Sequence, residues 1–330
     1  MRMKNKSEIA VVLLVYICLV FVGCGNKRDD KALLNETSSA ETSTENVSLN
    51  ETSTGNVSLN ETSTTASGET LDEKEKEWRA DCNYGSAKSL EGKVVIASIF
   101  ANDISTKWDY DSTVDQEIIS NSLINLKTAT DYLSKQVQRF GKDVSFDYDW
   151  ETDSDLVYYA DFKSELVRFD GSMYDEQRKW LESHIDVSHL INKYSADNIL
   201  FIFFFNTDYE NEVNPWSLGR ANGEDLTWEI SNFYLKYKDF DMPPASYAHE
   251  IMHAFGAHDL YYENEYISQE YIDYLTETAS NDIMFKVSLS SEIEEEFSKL
   301  DAYYVGIAPR PKEIKKWHLA ISEHDLYEGD

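Results

Sequence analysis

Cysteine is scarce in this chain of 330 residues. Three are present, Cys18, Cys24 and Cys82, which excludes a scaffold stapled by disulfides. Basic residues are also short: 30 Lys and Arg stand against 61 Asp and Glu, a formal net charge of −31. So acidic a surface repels a phosphate backbone, which excludes DNA or RNA as the main partner. Proline, at 5 residues, is too rare for a Pro-rich stalk. No long apolar run exists either; the one from Ile9 to Val22 is too short for a spanning helix. There is no Gly-x-Ser-x-Gly elbow, so no rival nucleophile stands out. What the chain does contain is 42% hydrophobic and 13% aromatic residues, enough for a real core in an α/β or α+β body.

The first thirty residues read as an address. Arg2, Lys4 and Lys6 precede the apolar run in the proportions of a signal peptide. The run ends Phe21-Val22-Gly23-Cys24 and turns polar at once. A small residue before Cys at this place resembles a bacterial lipobox, although Phe21 stands where Leu is usual. The resemblance implies removal of residues 1–23, a lipid on the Cys24 thiol, and an extracytoplasmic protein anchored to a bacterial cell membrane. An uncleaved anchor and a plain secretory signal are the alternatives.

Residues 24–75 read as a tether. The nine letters Asn46 to Thr54 recur at Asn56 to Thr64, and Leu34-Asn35-Glu36-Thr37-Ser38 is a partial third copy. A tract of Ser, Thr, Asn and Glu cannot bury enough surface to offset its chain entropy. It would also hold the acidic body away from anionic head groups. Residues 76–92 form a connecting segment, and residues 93–330 one globular domain.

Within that domain, Val94 to Phe100 is apolar and β-branched, and reads as a buried strand. Ile119, Leu123, Leu126, Leu133, Val137 and Phe140 recur at helical spacing, which predicts a helix over 115–140 ended by Gly141. Val144 to Tyr148 alternates as a second strand. Residues 174–194 read as one helix with Trp180, Leu181, Ile185 and Leu190 inward. Ile199 to Phe205 is almost solidly apolar and reads as a central strand. Thr227 to Leu235 is a further strand, and residues 292–305 read as helical.

The chemistry is concentrated in His249-Glu250-Ile251-Met252-His253. On a helix the two imidazoles lie one turn apart on one face. Such a pair can hold one Zn²⁺, with Glu250 close enough to serve an activated water. A pair of core histidines is the bland alternative. Gly256 can end the helix with φ > 0 and turn the chain back. His258 and Asp259 follow as competent ligands, and Glu277 is a third choice if a second helix packs on the first.

The run His249-Glu250-x-x-His253-x-x-Gly256-x-x-Asp259 resembles the extended zinc signature of the metzincin metallopeptidases, in the form with Asp as third ligand. Gly256 to Tyr261 is most similar to the segment of immune-inhibitor-A-like and snapalysin-like bacterial peptidases. Asn281-Asp282-Ile283-Met284 resembles their Met-turn, with Met284 beneath the zinc. Some metzincins carry a Tyr two residues after this Met; here that place is Lys286.

The resemblance implies an α+β catalytic domain: a twisted mixed sheet with backing helices, an active-site helix, a Met-turn and a C-terminal helix. It implies Zn²⁺ on His249, His253 and Asp259, with Glu250 as general base in peptide-bond hydrolysis. An extended protein or peptide substrate would pair with the sheet's edge strand, for which residues 214–222 are the candidate. The expected protein is therefore a lipid-anchored zinc endopeptidase, monomeric, with the membrane as its other partner through the lipid. The alternative from another class is a non-catalytic metzincin-like adhesin or binding protein. Cys82 is either a latency thiolate for the zinc or a plain thiol. The acidic run Asp147 to Asp155 lacks the turn glycine of an EF-hand (Thr152 stands there) and reads as a solvated loop rather than a Ca²⁺ site. Tyr261 and Tyr262 read as packing, with contact to substrate as the alternative, and His184, His189, His318 and His324 as surface or helix-packing residues.

Overall fold

Strand β1 (Gly92–Asn102) runs through the middle of a sheet and is buried from Val94 to its end. Burial on both faces is what its solid apolar run requires. In the computed structural model the described residues are Ala87, 89–148, 154–166, 172–207, 217–219, 229–234, 236–237, 240–264 and 266–319. All lie in the second of the two units into which the chain divides, 64–330. The signal peptide, Cys24, the tether and most of the connecting segment with Cys82 lie outside the described residues. Among those described, no helix is long and apolar enough to cross a membrane.

Beside β1 stand β2 (Val144–Asp147), β3 (Val157–Asp161) and β4 (Asn198–Phe205). Then come β5 (Ser217–Gly219) and β6 (Glu229–Tyr234), and the order across the sheet is β2-β1-β4-β6-β5. β1 pairs in parallel with β2, β3 and β4, and β4 pairs in parallel with β6. Only β5 is antiparallel, on β6 at the sheet's edge. It falls inside the 214–222 segment expected there. A separate pair, β7 (Lys236–Tyr237) and β8 (Phe240–Asp241), leads to the next helix. The result is a mixed α/β architecture with a mostly parallel open sheet, compatible with the α+β expectation.

Alternation along β1 and β4 builds two cores. Val94, Ile96, Phe100, Leu200, Ile202 and Phe204 face one side. Val95, Ala97, Ile99, Phe201, Phe203 and Phe205 face the other. The first core is closed by α1 (Thr113–Gln138), whose buried Ile119, Leu123, Leu126, Leu133 and Val137 are those of the predicted stripe. Ser112 caps α1 by accepting from Val114 N.

Two expectations need correction, and one strand is an addition. β3 was not foreseen; it pairs with Ser98 to Asn102, the stretch of β1 that β2 leaves uncovered. The single helix over 174–194 is two, α2 (Ser172–His184) and α3 (Val187–Tyr194). Asp186 breaks it, because its carboxylate accepts from His189 N at 2.9 Å and starts a new helix. The helix over 292–305 is confined to residues 299–304. There Ser298 and Asp301 form a reciprocal capping box, while Glu296 is held instead in a bridge to Asp282.

Candidate metal centre

Helix α4 (Pro244–Ala254) carries the His-Glu-x-x-His run. Pro244 at its first position suits a place where no N–H partner is needed. Tyr247, Ala248, Ile251, Met252 and Ala254 are buried in the first core, against α1 and the sheet. His249 and Glu250 are buried too, at 4% and 7% exposure. The helix stops at Phe255, and Gly256 takes φ +97°, a conformation that suits glycine. Ala257 N then bonds back to Met252 O at 3.1 Å, and the chain reverses toward the histidines.

Three atoms meet there. His249 Nε2 lies 3.0 Å from His253 Nε2, and Asp259 Oδ1 lies 3.0 Å from the first and 3.1 Å from the second. The other ring nitrogens are engaged. His249 Nδ1 is 2.9 Å from Ile283 O, and His253 Nδ1 is 2.7 Å from Ala257 O. A carbonyl only accepts, so both Nδ1 atoms carry hydrogen, and each neutral ring then presents a lone pair at Nε2. Two lone pairs and a carboxylate oxygen thus converge on one point, an arrangement that demands a cation. Tetrahedral zinc with bonds of about 2.0–2.1 Å places its ligand atoms about 3.3 Å apart, so the spacing fits with little adjustment.

A proton answers the same demand. Burial lowers the His253 pKa, but the charge and hydrogen bond of Asp259, with Glu250 behind, outweigh it and raise it to about 9. Burial pushes Asp259 up, but the two histidines outweigh it and hold the carboxyl well below the usual carboxylate range. Glu250 hangs beside the triangle and not in it. Its Oε1 is 4.0 Å from His249 Nε2, and it can join the two histidines as a ligand group only within a looser 4.8 Å circle.

The other candidates are held elsewhere. The His258 ring stacks on Tyr266 with centroids 4.6 Å apart and meets Tyr304 edge-on at 5.1 Å. Glu277 is exposed at the end of α5 (Gln269–Glu277). Met284 is fully buried in a turn, and its N–H bonds to Asp282 Oδ1 at 2.8 Å. The turn acts on the site through its backbone. Ile283 O orients His249, and Met284 O accepts from Leu260 N at 2.9 Å, next to Asp259.

Tyr261 was read as packing, and the structure gives it more. Its hydroxyl bonds to Asp259, and its ring stacks near His249. Burial and the charges of Asp259 and Glu250 drive its pKa far up, so it remains a donor. Of the acidic run, Asp147 pairs with Lys93 at 2.9 Å and Asp155 with Lys193 at 2.8 Å. Residues 149–153 between them lie outside the described residues.

The fold and the cluster together define a class: an α/β protein whose sheet backs a helix bearing two histidines, on which an aspartate from the turn after the helix converges. Compared with known protein families and with curated proteins, the chain matches none.

Proposed function

We propose that this chain is a zinc-dependent endopeptidase of metzincin type. It would act outside the cytoplasm as a monomer anchored through lipid on Cys24, on protein or peptide substrates. The observation that carries the reading is the convergence of His249 Nε2, His253 Nε2 and Asp259 Oδ1 within 3.1 Å of one another, with Glu250 alongside. These three residues would hold zinc, which would supply a Lewis acid to lower the pKa of water toward ~7 and polarise a carbonyl. Glu250 takes the proton of the attacking water and passes it to the leaving amine. Tyr261 fixes the Asp259 carboxylate, and Ile283 O and Ala257 O fix the two rings. The edge position of β5 suits an extended substrate added to the sheet through main-chain bonds.

The test is metal content together with digestion of casein or gelatin by the purified chain. One zinc per chain is expected, with digestion stopped by a chelator and restored by zinc. A chain that binds no zinc and cuts neither substrate rejects the reading.

Metal uptake should depend on pH with a definite sign. His253 is raised above its ordinary value of about 6.5. Its proton therefore stabilises the metal-free fold fully below pH ~6.5, and that contribution is lost as pH rises through about 9. Zinc must displace this proton at neutral pH. Titration calorimetry at pH 7 in buffers of different ionisation enthalpy should count about one proton released per zinc, with affinity falling as pH is lowered. Proton-neutral binding at pH 7 would contradict this account of the cluster.

A further inference from the structure

Two carboxylates are buried behind the Met284 turn. Asp301, in α6 (Lys299–Tyr304), is 0% exposed, and Asp282 is 4% exposed. Ser298 joins them. Its N–H donates to Asp301 Oδ2 at 2.8 Å, while its hydroxyl accepts from Asp301 N and lies within the influence of both carboxylates. Asp282 also holds Met284 N. Asp301 Oδ1 is left inside the protein with no hydrogen-bond partner among the described residues.

The surroundings offer little positive charge. The charges that bear on Asp301 are Asp282 and Glu296, both acidic. Asp282 feels Glu296 and, more weakly, His249 of α4. Tyr132 of α1 and Tyr271 of α5 face both aspartates as neutral phenols, and Arg139 at the end of α1 bears on Tyr132. A buried carboxylate with an orphan oxygen and acidic neighbours is poorly stable as an anion. Protonation turns the orphan acceptor into a donor, and Asp282, the neighbouring charge that bears most on Asp301, is a group that can accept it.

We propose that Asp301 carries a proton which it shares with Asp282, and that this hydrogen bond fastens α6 to the Met284 turn. In support, burial and then Asp282's charge hold the Asp301 carboxyl well above its ordinary value, and burial pushes Asp282 up to about 6. A carboxyl raised in the folded state stabilises the fold fully below pH ~4, and that stability is lost as pH rises through the folded value. The turn therefore loosens at alkaline pH. Any consequence for zinc, through Ile283 O and His249, rests on the metallopeptidase reading; the shared proton itself does not.

The test is Asp301→Asn in the full, metal-stripped chain. The amide keeps an oxygen for Ser298 N and supplies a permanent donor to Asp282. Melting temperatures of variant and wild type should nearly coincide at pH 5. By pH 8 the variant should lie about 3–8 °C higher. Amide exchange of residues 282–286, corrected for its intrinsic pH dependence, should accelerate between these pH values more in wild type than in the variant. A melting offset that is the same at both pH values overturns the shared proton. Equal acceleration of exchange overturns the fastening of the turn. If Asp301→Asn does not fold, Asp282→Asn, whose amide can donate to Asp301, is judged by the same two measurements. Neither readout needs zinc or activity, so failure of the peptidase reading leaves both decisive.

Discussion

Glu250→Ala should keep its fold and its zinc yet lose about 10²–10⁴-fold in turnover. The argument is positional. Glu250 lies outside the triangle formed by His249, His253 and Asp259, so its removal spares every proposed ligand. Neither ring depends on it for orientation, since Ile283 O and Ala257 O perform that task. What disappears is the proposed base for the proton of water. Metal analysis and casein turnover on wild type and variant, prepared alike, check both halves. Unchanged turnover sinks the assignment of Glu250 as the base and, with it, the peptidase mechanism.

The second large effect concerns the third ligand. Asp259→Ala should weaken zinc binding by more than about 100-fold, beyond what is typical for a residue that merely supports a ligand. His258→Ala and Glu277→Ala should retain zinc. The His258 ring is committed to Tyr266 and Tyr304, and Glu277 lies exposed at the end of α5. Asp259→Ala also deprives Tyr261 of its acceptor and leaves the two imidazole lone pairs without the carboxylate that faces them. Competitive titration against a chromophoric chelator measures all three variants. Full zinc affinity in Asp259→Ala with loss in His258→Ala would reverse the ligand assignment and leave a zinc peptidase standing.

What the sequence disclosed was local. The His249–His253 pair and the glycine turn to Asp259 fall within eleven residues, so helix geometry and one positive φ bring them together with little help from the rest of the fold. Val94 to Phe100 and Ile199 to Phe205 were legible because strands covered on both faces have almost no choice of side chain. The break at Asp186 was not, because a single side-chain cap outweighed a continuing apolar stripe. The state of residues 292–297 was decided by pairing with 281–283, a partner that periodicity does not reveal. Most hidden of all was the Ile283 carbonyl on His249. A backbone group leaves no trace in the alphabet, and Met284 marked the turn without showing what it holds.

The register that joins Val94 to Asn198 has a kinetic consequence. Residues paired across the two central strands are more than a hundred positions apart in the chain, and α1, β2, β3, α2 and α3 lie between the strands. Closing so long an intervening segment costs entropy before the pairing repays any of it. The helix and turn that carry His249, His253 and Asp259 close within a few residues and gain their shape early. Refolding should therefore wait on the parallel pairing, and substitutions between His249 and Asp259 should change what the finished protein does far more than how fast it is assembled.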